Sequence, residues 1–348
     1  MKHGGDTLSF QHLYNGEILD FSSNINPLGP PEGLKEYIME AFDDLRVYPD
    51  IQYRHLKEEI AQYLGCGATE VVVGNGAMDI IHTLCILFDR VIVPYPSFIE
   101  YIEQPQILGK EVVKVKLSED FEIQPEELLP HLHRGNLLIL GNPNNPTGKR
   151  ISKDVLISLH QEIKEKGAFL VLDEVFWEFC DMDYDSIQLF RGSNHVCVLR
   201  AATKFFALPG IRLGYGYTSE AMAKEYHKGA LPWSVNTFAD AAGRRIFRER
   251  DYIEKSKRYM AEERNFMLKE LKIIKPIKVF QTHCNFILIQ LLQDTEEDLF
   301  NHMIKEGIMI RKASTFEGLD NRYIRIAIKD RGSNLRLIES FKHYFKHQ

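Results

Sequence analysis

Short apolar runs alternate with amphipathic stretches through the first two thirds of the chain. Runs at 71–73, 91–93, 112–115, 137–140, 169–172 and 196–199 are rich in Val, Leu and Ile, and these and the stretch 213–217 each read as a strand. Helical spacing lies between most of them, for example at 97–104 and 153–166. Near-continuous apolar strands alternating with helices predict an α/β fold with a largely parallel sheet covered on both faces. In such sheets ligands bind beyond the carboxyl ends of the strands. Upstream, 34–42 and 53–64 have helical spacing, whereas residues 1–30 are dense in Asn, Pro and Gly and predict a long loop, which is usually functional or disordered. Beyond residue 220 the pattern changes. A helix at 219–228 is interrupted by Leu231-Pro-Trp233-Ser-Val-Asn236. A long helical stretch from 237 to 271 follows, bent or split near Arg250-Asp251. Strands at 278–280, 285–290, 309–311 and 323–328, with helices at 296–306 and 333–345, predict a smaller C-terminal α/β domain. The expected division is an arm and part of the small domain at 1–44, a large domain at 45–245 and the small domain at 246–348.

Composition narrows the function classes. The chain has 348 residues, a net charge of -6 and no long basic run, which gives no footprint for nucleic acid. No apolar stretch reaches the ~18 residues of a transmembrane helix, and Met1-Lys-His-Gly-Gly-Asp6 lacks the apolar core of a signal peptide. Five scattered cysteines without a CxxC pair predict a reducing, cytoplasmic compartment.

The candidate chemistry centres on Arg200-Ala-Ala-Thr203-Lys204-Phe-Phe-Ala-Leu-Pro-Gly210-Ile-Arg212-Leu-Gly214-Tyr. Lys204 follows a buried strand and precedes two aromatic residues. A partly desolvated Lys loses proton affinity, and a neutral amine condenses with a carbonyl. Arg212 nearby would keep the amine deprotonated and could bind a phosphate. Together they suggest an aldehyde carrying a phosphate, pyridoxal 5′-phosphate (PLP). Taken alone, the stretch also fits a surface Lys and a surface Arg flanking a turn. Elsewhere, Gly74-Asn-Gly76-Ala77-Met78 feeds a helix N-terminus, where free N–H groups and the helix dipole favour phosphate, although a plain strand-to-helix turn fits as well. Asn142-Pro-Asn144-Asn145-Pro146-Thr147-Gly148 would hold Asn side chains on a backbone stiffened by proline. Asp173 ends an apolar strand and needs a positive or proton-bearing partner, such as a protonated pyridine. Asp181-x-Asp183-x-Asp185 lacks the Gly and Glu of a calcium loop, and His131-x-His133 has no third ligand in view, so no metal site is expected.

These spaced elements resemble the fold-type I PLP enzymes, in the branch that holds histidinol-phosphate aminotransferase and L-threonine-O-3-phosphate decarboxylase. The resemblance runs from His3 to about Phe345. It implies that Lys204 binds the cofactor's aldehyde and carries a proton, that Asp173 pairs the pyridine nitrogen, that Asn145 bonds the phenolic oxygen and that Tyr101 stacks on the ring. It implies further that Gly76, Ala77, Met78, Thr203 and Arg212 hold the cofactor phosphate, joined by Tyr48 from the second subunit of a homodimer. Arg325, in Tyr323-Ile-Arg-Ile-Ala, matches the substrate-carboxylate arginine. His3-Gly-Gly-Asp6, residues 20–31, Asp173-Glu-Val-Phe176 and Pro232-Trp-Ser-Val-Asn236 look more like the decarboxylase than the aminotransferase. That likeness implies that His3, Asn24, Arg311 and Arg325 meet a small phosphorylated amino acid. Two positions depart from the family: Ala201 replaces a hydroxyl that touches the phosphate in many relatives, and Phe176 replaces a Tyr usual in the aminotransferases.

Overall fold

The computed structural model describes residues 3–181 and 183–346. Its strands, in chain order, are β1 (Leu19–Asp20), β2 (Val71–Gly74), β3 (Arg90–Tyr95), β4 (Glu111–Lys116), β5 (Asn136–Gly141), β6 (Phe169–Asp173), β7 (Val196–Ala201), β8 (Gly214–Thr218), β9 (Ile277–Val279), β10 (Phe286–Leu291), β11 (Ile308–Met309), β12 (Arg311–Lys312) and β13 (Tyr323–Ala327). A seven-stranded sheet has the order β2-β8-β7-β6-β5-β3-β4. Its interior pairs are parallel except that β8 runs against both β2 and β7.

The central strands explain why their sequences show no alternation. Leu138, Leu140, Leu170, Leu172 and Val198 enter one hydrophobic core, and Leu137, Ile139, Phe169, Val171 and Leu199 enter the other. Successive side chains point to opposite faces, and here both faces are covered. The helix Ala77–Ile86 packs on the second core through Ile80, Ile81 and Leu84, while Lys153–Lys166 covers the first through Leu156, Leu159 and Ile163. The latter helix keeps its predicted bounds because both ends are capped. The Ser152 hydroxyl accepts from the Val155 amide, and Gly167 closes the other end at φ 67°.

The helical stretch beyond 236 is split, into Thr237–Ile246 and Arg250–Leu271. The C-terminal sheet differs from the large one: its order is β12-β13-β10-β9 and every pair is antiparallel. Helices Glu296–Lys305 and Arg331–Lys346 pack on it. The predicted N-terminal loop is ordered across residues 20–26 and ties the two sheets together. The Asn26 amide donates to Lys204 O at 3.0 Å, the Ala327 amide to Phe21 O at 2.8 Å, and Asn285 Nδ2 to Asn24 O at 3.0 Å.

Candidate active site

The carboxyl ends of β2, β3, β5, β6 and β7 converge on one cleft of about 240 Å³. At its floor β2 runs into Asn75-Gly76, and the helix Ala77–Ile86 begins there with Gly76 at φ 85°. The Ala77 and Met78 amides open that helix at the positive end of its dipole. Gly76 needs to be glycine because φ 85° strains any other residue, and a Cβ there would also press on Arg212 Nη2. Gly214, the first residue of β8, also has no room: a Cβ there would stand 2.3 Å from the carbonyl carbon of Gly76. This close approach sets the Arg212 guanidinium beside the helix N-terminus. Arg212 is held at φ 63°, a left-handed conformation that costs a non-glycine residue about 1–2 kcal/mol. Its Nη1 donates to Pro209 O at 3.3 Å.

Lys204 enters the cleft from the loop between β7 and β8. The Ala202 amide donates to Leu213 O at 3.0 Å and closes that loop at its base. Burial pushes the Lys204 amine down to about 8, and the positive charges of Arg325 and Arg212 add to the effect.

Asp173 ends β6 in the same cleft. Burial raises its carboxyl above the ordinary carboxylate value, while the Tyr101 hydroxyl and the Val175 amide pull it back. Tyr101 Oη donates to Asp173 Oδ2 at 2.6 Å and Val175 N to Oδ1 at 3.0 Å. The neighbouring carboxylate has a separate role: Glu174 is fully buried against Arg200, 3.1 Å away.

The loop after β5 divides its three asparagines. Asn142 Nδ2 donates to Glu174 Oε1 at 3.2 Å and Asn144 Nδ2 to Pro96 O at 2.9 Å, so these two hold the loop. Asn145 alone lines the cleft. Its Oδ1 accepts from Arg325 Nη1 at 2.5 Å, which leaves Nδ2 as the end that can donate to a ligand.

Arg325 and Arg311 stand directly opposite each other on β13 and β12. Both are buried, at 5% and 3% exposure. Like charges in opposed cross-strand positions are destabilising, and burial, followed by repulsion from Arg311, weakens the hold of Arg325 on its proton. Arg325 Nη2 donates to Ser22 O at 2.7 Å, and Arg311 Nη2 donates to Thr315 Oγ1 at 2.7 Å. Such a pair suits an anionic ligand. The N-terminal arm closes the cleft from above. Gly4 packs on the Ser22 carbonyl, and His3 Nε2 lies 3.0 Å from Glu100 Oε1.

The structure therefore gathers His3, Asn24, Ala77, Met78, Tyr101, Asn145, Asp173, Thr203, Lys204, Arg212, Arg311 and Arg325 around one space. Tyr48 is not among them. It is 78% exposed, and its ring lies 4.6 Å from that of Trp233, tilted by 30°. Ser22, Phe98 and Phe316 also line the cleft without having been expected there. Ser22 was readable from its place in the N-terminal loop; nothing in the sequence points to Phe316.

Two buried polar atoms in the cleft lack hydrogen-bond partners, Asn24 Oδ1 and Arg325 Nε. With a depressed amine, a buried carboxylate and a glycine cradle beside an arginine, they fit the aldehyde, pyridine nitrogen and phosphate of PLP. The comparisons agree. The family described as "Aminotransferase class I and II" matches residues 16–341. A protein of Caldanaerobacter subterraneus subsp. tengcongensis, provisionally named threonine-phosphate decarboxylase, is 40% identical over 98% of this chain and 96% of its own. The threonine-phosphate decarboxylase of Salmonella typhimurium is 31% identical over 98% of this chain and 95% of its own. The histidinol-phosphate aminotransferase structure from Clostridium acetobutylicum superposes with a TM-score of 0.91 at 36% identity, covering 95% of this chain and all (100%) of that one. PLP is the cofactor these findings assign. The chain belongs to the class I and II aminotransferase family.

Proposed function

We propose that this enzyme decarboxylates L-threonine O-3-phosphate to (R)-1-amino-2-propanol O-2-phosphate, a step of cobalamin biosynthesis. The opposed, buried Arg311 and Arg325 carry the reading. Their two guanidinium groups match a single substrate with two anionic groups, a carboxylate and a phosphate, which arginine binds in bidentate fashion. The relatives named as threonine-phosphate decarboxylases support the same substrate.

PLP, when bound, supplies an electron sink for whichever bond at Cα stands perpendicular to its ring. The chain's residues make the remaining choices. Asp173 would hold the pyridine nitrogen protonated, and its buried, raised carboxyl would gain a cationic partner in doing so. The amides of Ala77 and Met78 with Thr203 and Arg212 anchor the phosphate. Asn145 offers Nδ2 to the phenolic oxygen, and Arg325 fixes its orientation. Tyr101 packs at the ring. The arginine pair, with Asn24 and His3, would bind and orient the carboxylate and phosphate of the substrate. Lys204 Nζ, near neutrality, would then deliver the proton that replaces CO2 at Cα.

Aminotransfer from histidinol phosphate is the second reading, favoured by the Clostridium acetobutylicum structure. Phe176 speaks against it. Its buried ring packs edge-on against Phe286 at 5.0 Å and has no hydroxyl to offer the phenolic oxygen. Incubation with threonine phosphate is expected to release CO2, and histidinol phosphate with 2-oxoglutarate to yield little glutamate. The reverse pattern would overturn the assignment.

The assembly we propose is a homodimer in which Tyr48 reaches the cofactor phosphate of the second subunit. Exposed Phe42, Val47, Tyr48, Ile51, Leu231 and Trp233 support it, since a monomer rarely leaves so many large apolar side chains along neighbouring segments. Sedimentation of the active enzyme should show a dimer; a fully active monomer would refute the arrangement.

The Lys204 amine also predicts a pH dependence. Its folded value near 8 lies below the ordinary 10.5, so the neutral, reactive form grows as pH rises through about 8. The rate at which stripped protein regains PLP should follow that curve. Arg325→Gln removes a positive neighbour, favours the protonated amine and should move the midpoint upward. A midpoint unchanged by that substitution would contradict the electrostatic account.

A further inference from the structure

Away from the cleft, the end of the helix Glu296–Lys305 meets the helix Arg331–Lys346. The two pack through buried Met303, Ile304, Leu337 and Phe341. At the rim of that contact three potential metal ligands come together: His302, Glu306 and His343. His302 and Glu306 are four residues apart, the spacing that puts side chains on one helical face, and His343 arrives from the second helix. From this convergence we propose that His302, Glu306 and His343 form a binding site for a divalent transition metal of the zinc type.

The geometry carries the inference. Glu306 Oε1 lies 3.2 Å from His302 Nε2 and 3.3 Å from His343 Nδ1. Metal–ligand bonds of about 2.0–2.1 Å in a tetrahedron separate neighbouring ligand atoms by about 3.3 Å. All three ligand atoms lie within 4.8 Å of one another, and the His343 side chain is 59% exposed. His302 Nε2 is screened from solvent and makes no aligned hydrogen bond, although the carboxylate is close. A metal ion between them would satisfy it.

The surroundings are those of a metal ligand. The other carboxylate oxygen, Glu306 Oε2, accepts from the Ser340 hydroxyl, and Arg336 Nη2 donates to the Glu306 carbonyl at 2.5 Å. Outer contacts of this kind orient a ligating carboxylate. Two neutral imidazoles and one carboxylate suit Zn²⁺, Co²⁺ or Ni²⁺. Mg²⁺ and Ca²⁺ demand oxygen ligands and do not fit. The partial exposure of all three side chains leaves water to complete the shell. Bound metal would pin the last helix of the chain to the helix that precedes β11.

The test uses the PLP-loaded enzyme, freed of metal with a chelator and held in a phosphate-free buffer. Titration with zinc should show one ion per chain and a rise in the thermal midpoint, with no rise for magnesium. Cobalt should give a visible absorption band. His302→Ala with His343→Ala together should remove the uptake, the band and the thermal shift while leaving decarboxylation unchanged. Ser340→Ala keeps the ligands and should weaken zinc by about tenfold or more. Absence of uptake by the parent enzyme, or uptake that survives the double substitution, would overturn the proposal.

Discussion

Lys204→Ala is expected to leave a folded protein with no measurable decarboxylation of threonine phosphate. The side chain lies in the cleft, whereas the structural ties of this residue run through its backbone: Lys204 O accepts from the Asn26 amide at 3.0 Å and the Ala207 amide at 3.3 Å. Alanine keeps both. What disappears is the amine proposed to bind the cofactor's aldehyde and to move a proton at Cα. A positioned proton carrier alone contributes about 10²–10⁴-fold, and loss of the covalent tie adds to that. Lys204→Arg should be equally inactive, since a guanidinium stays protonated. Unfolding measured by calorimetry should stay close to the parent's. Activity within tenfold of the parent would remove Lys204 from the mechanism.

Arg325→Lys is the second large effect. Arg325 uses one arm on Asn145 Oδ1 and the other on Ser22 O, so its guanidinium plane is fixed before substrate arrives. A lysine is a point charge on a flexible stem and cannot hold both contacts. The substitution should therefore lose the charge-assisted contact and release the Asn145 amide. Truncating one partner of a buried, hydrogen-bonded charge pair costs about 2–5 kcal/mol. We expect kcat/KM for threonine phosphate to fall by roughly two to three orders of magnitude on that basis. A change of less than threefold would mean that the opposed arginines do not bind the substrate's anions.

Much of the sheet could be read from sequence because its central strands are buried on both faces and appear as unbroken apolar runs. The helix 153–166 could be read to the residue because Ser152 and Gly167 mark its ends. Other features could not. The reversal of β8 could not be read from its sequence, since the strand is as fully buried as its parallel neighbours and burial does not encode direction. β1 and β11, of two residues each, are shorter than any periodic signal. In the site, Lys204, Asp173 and Asn145 announced themselves as polar residues at strand ends. The opposition of Arg311 to Arg325, fourteen residues apart in the chain, is a matter of register between two strands, and periodicity does not encode it. Tyr101 was expected at the cofactor ring, but its hydrogen bond to Asp173 depends on how the loop after β3 folds over β6. The cluster at His302 needed the approach of a distant helix, which no local pattern announces.

The reversed strand β8 has one further consequence. Because it runs against its neighbours, the residue that enters it and the residue that leaves β7 arrive at the same edge. The segment from Ala202 to Leu213 is thus a handle with both feet in one sheet, joined at the base by the Ala202–Leu213 hydrogen bond and inside by Leu208 N to Ala202 O at 3.3 Å. Ala207 and Arg212, neither of them glycine, both take left-handed backbone angles to make it close. Most surface loops have slack and absorb insertions cheaply. This one has none. Its length is a ruler that sets the span from the amine of Lys204 to the guanidinium of Arg212, the two groups proposed to take the aldehyde and the phosphate of the cofactor.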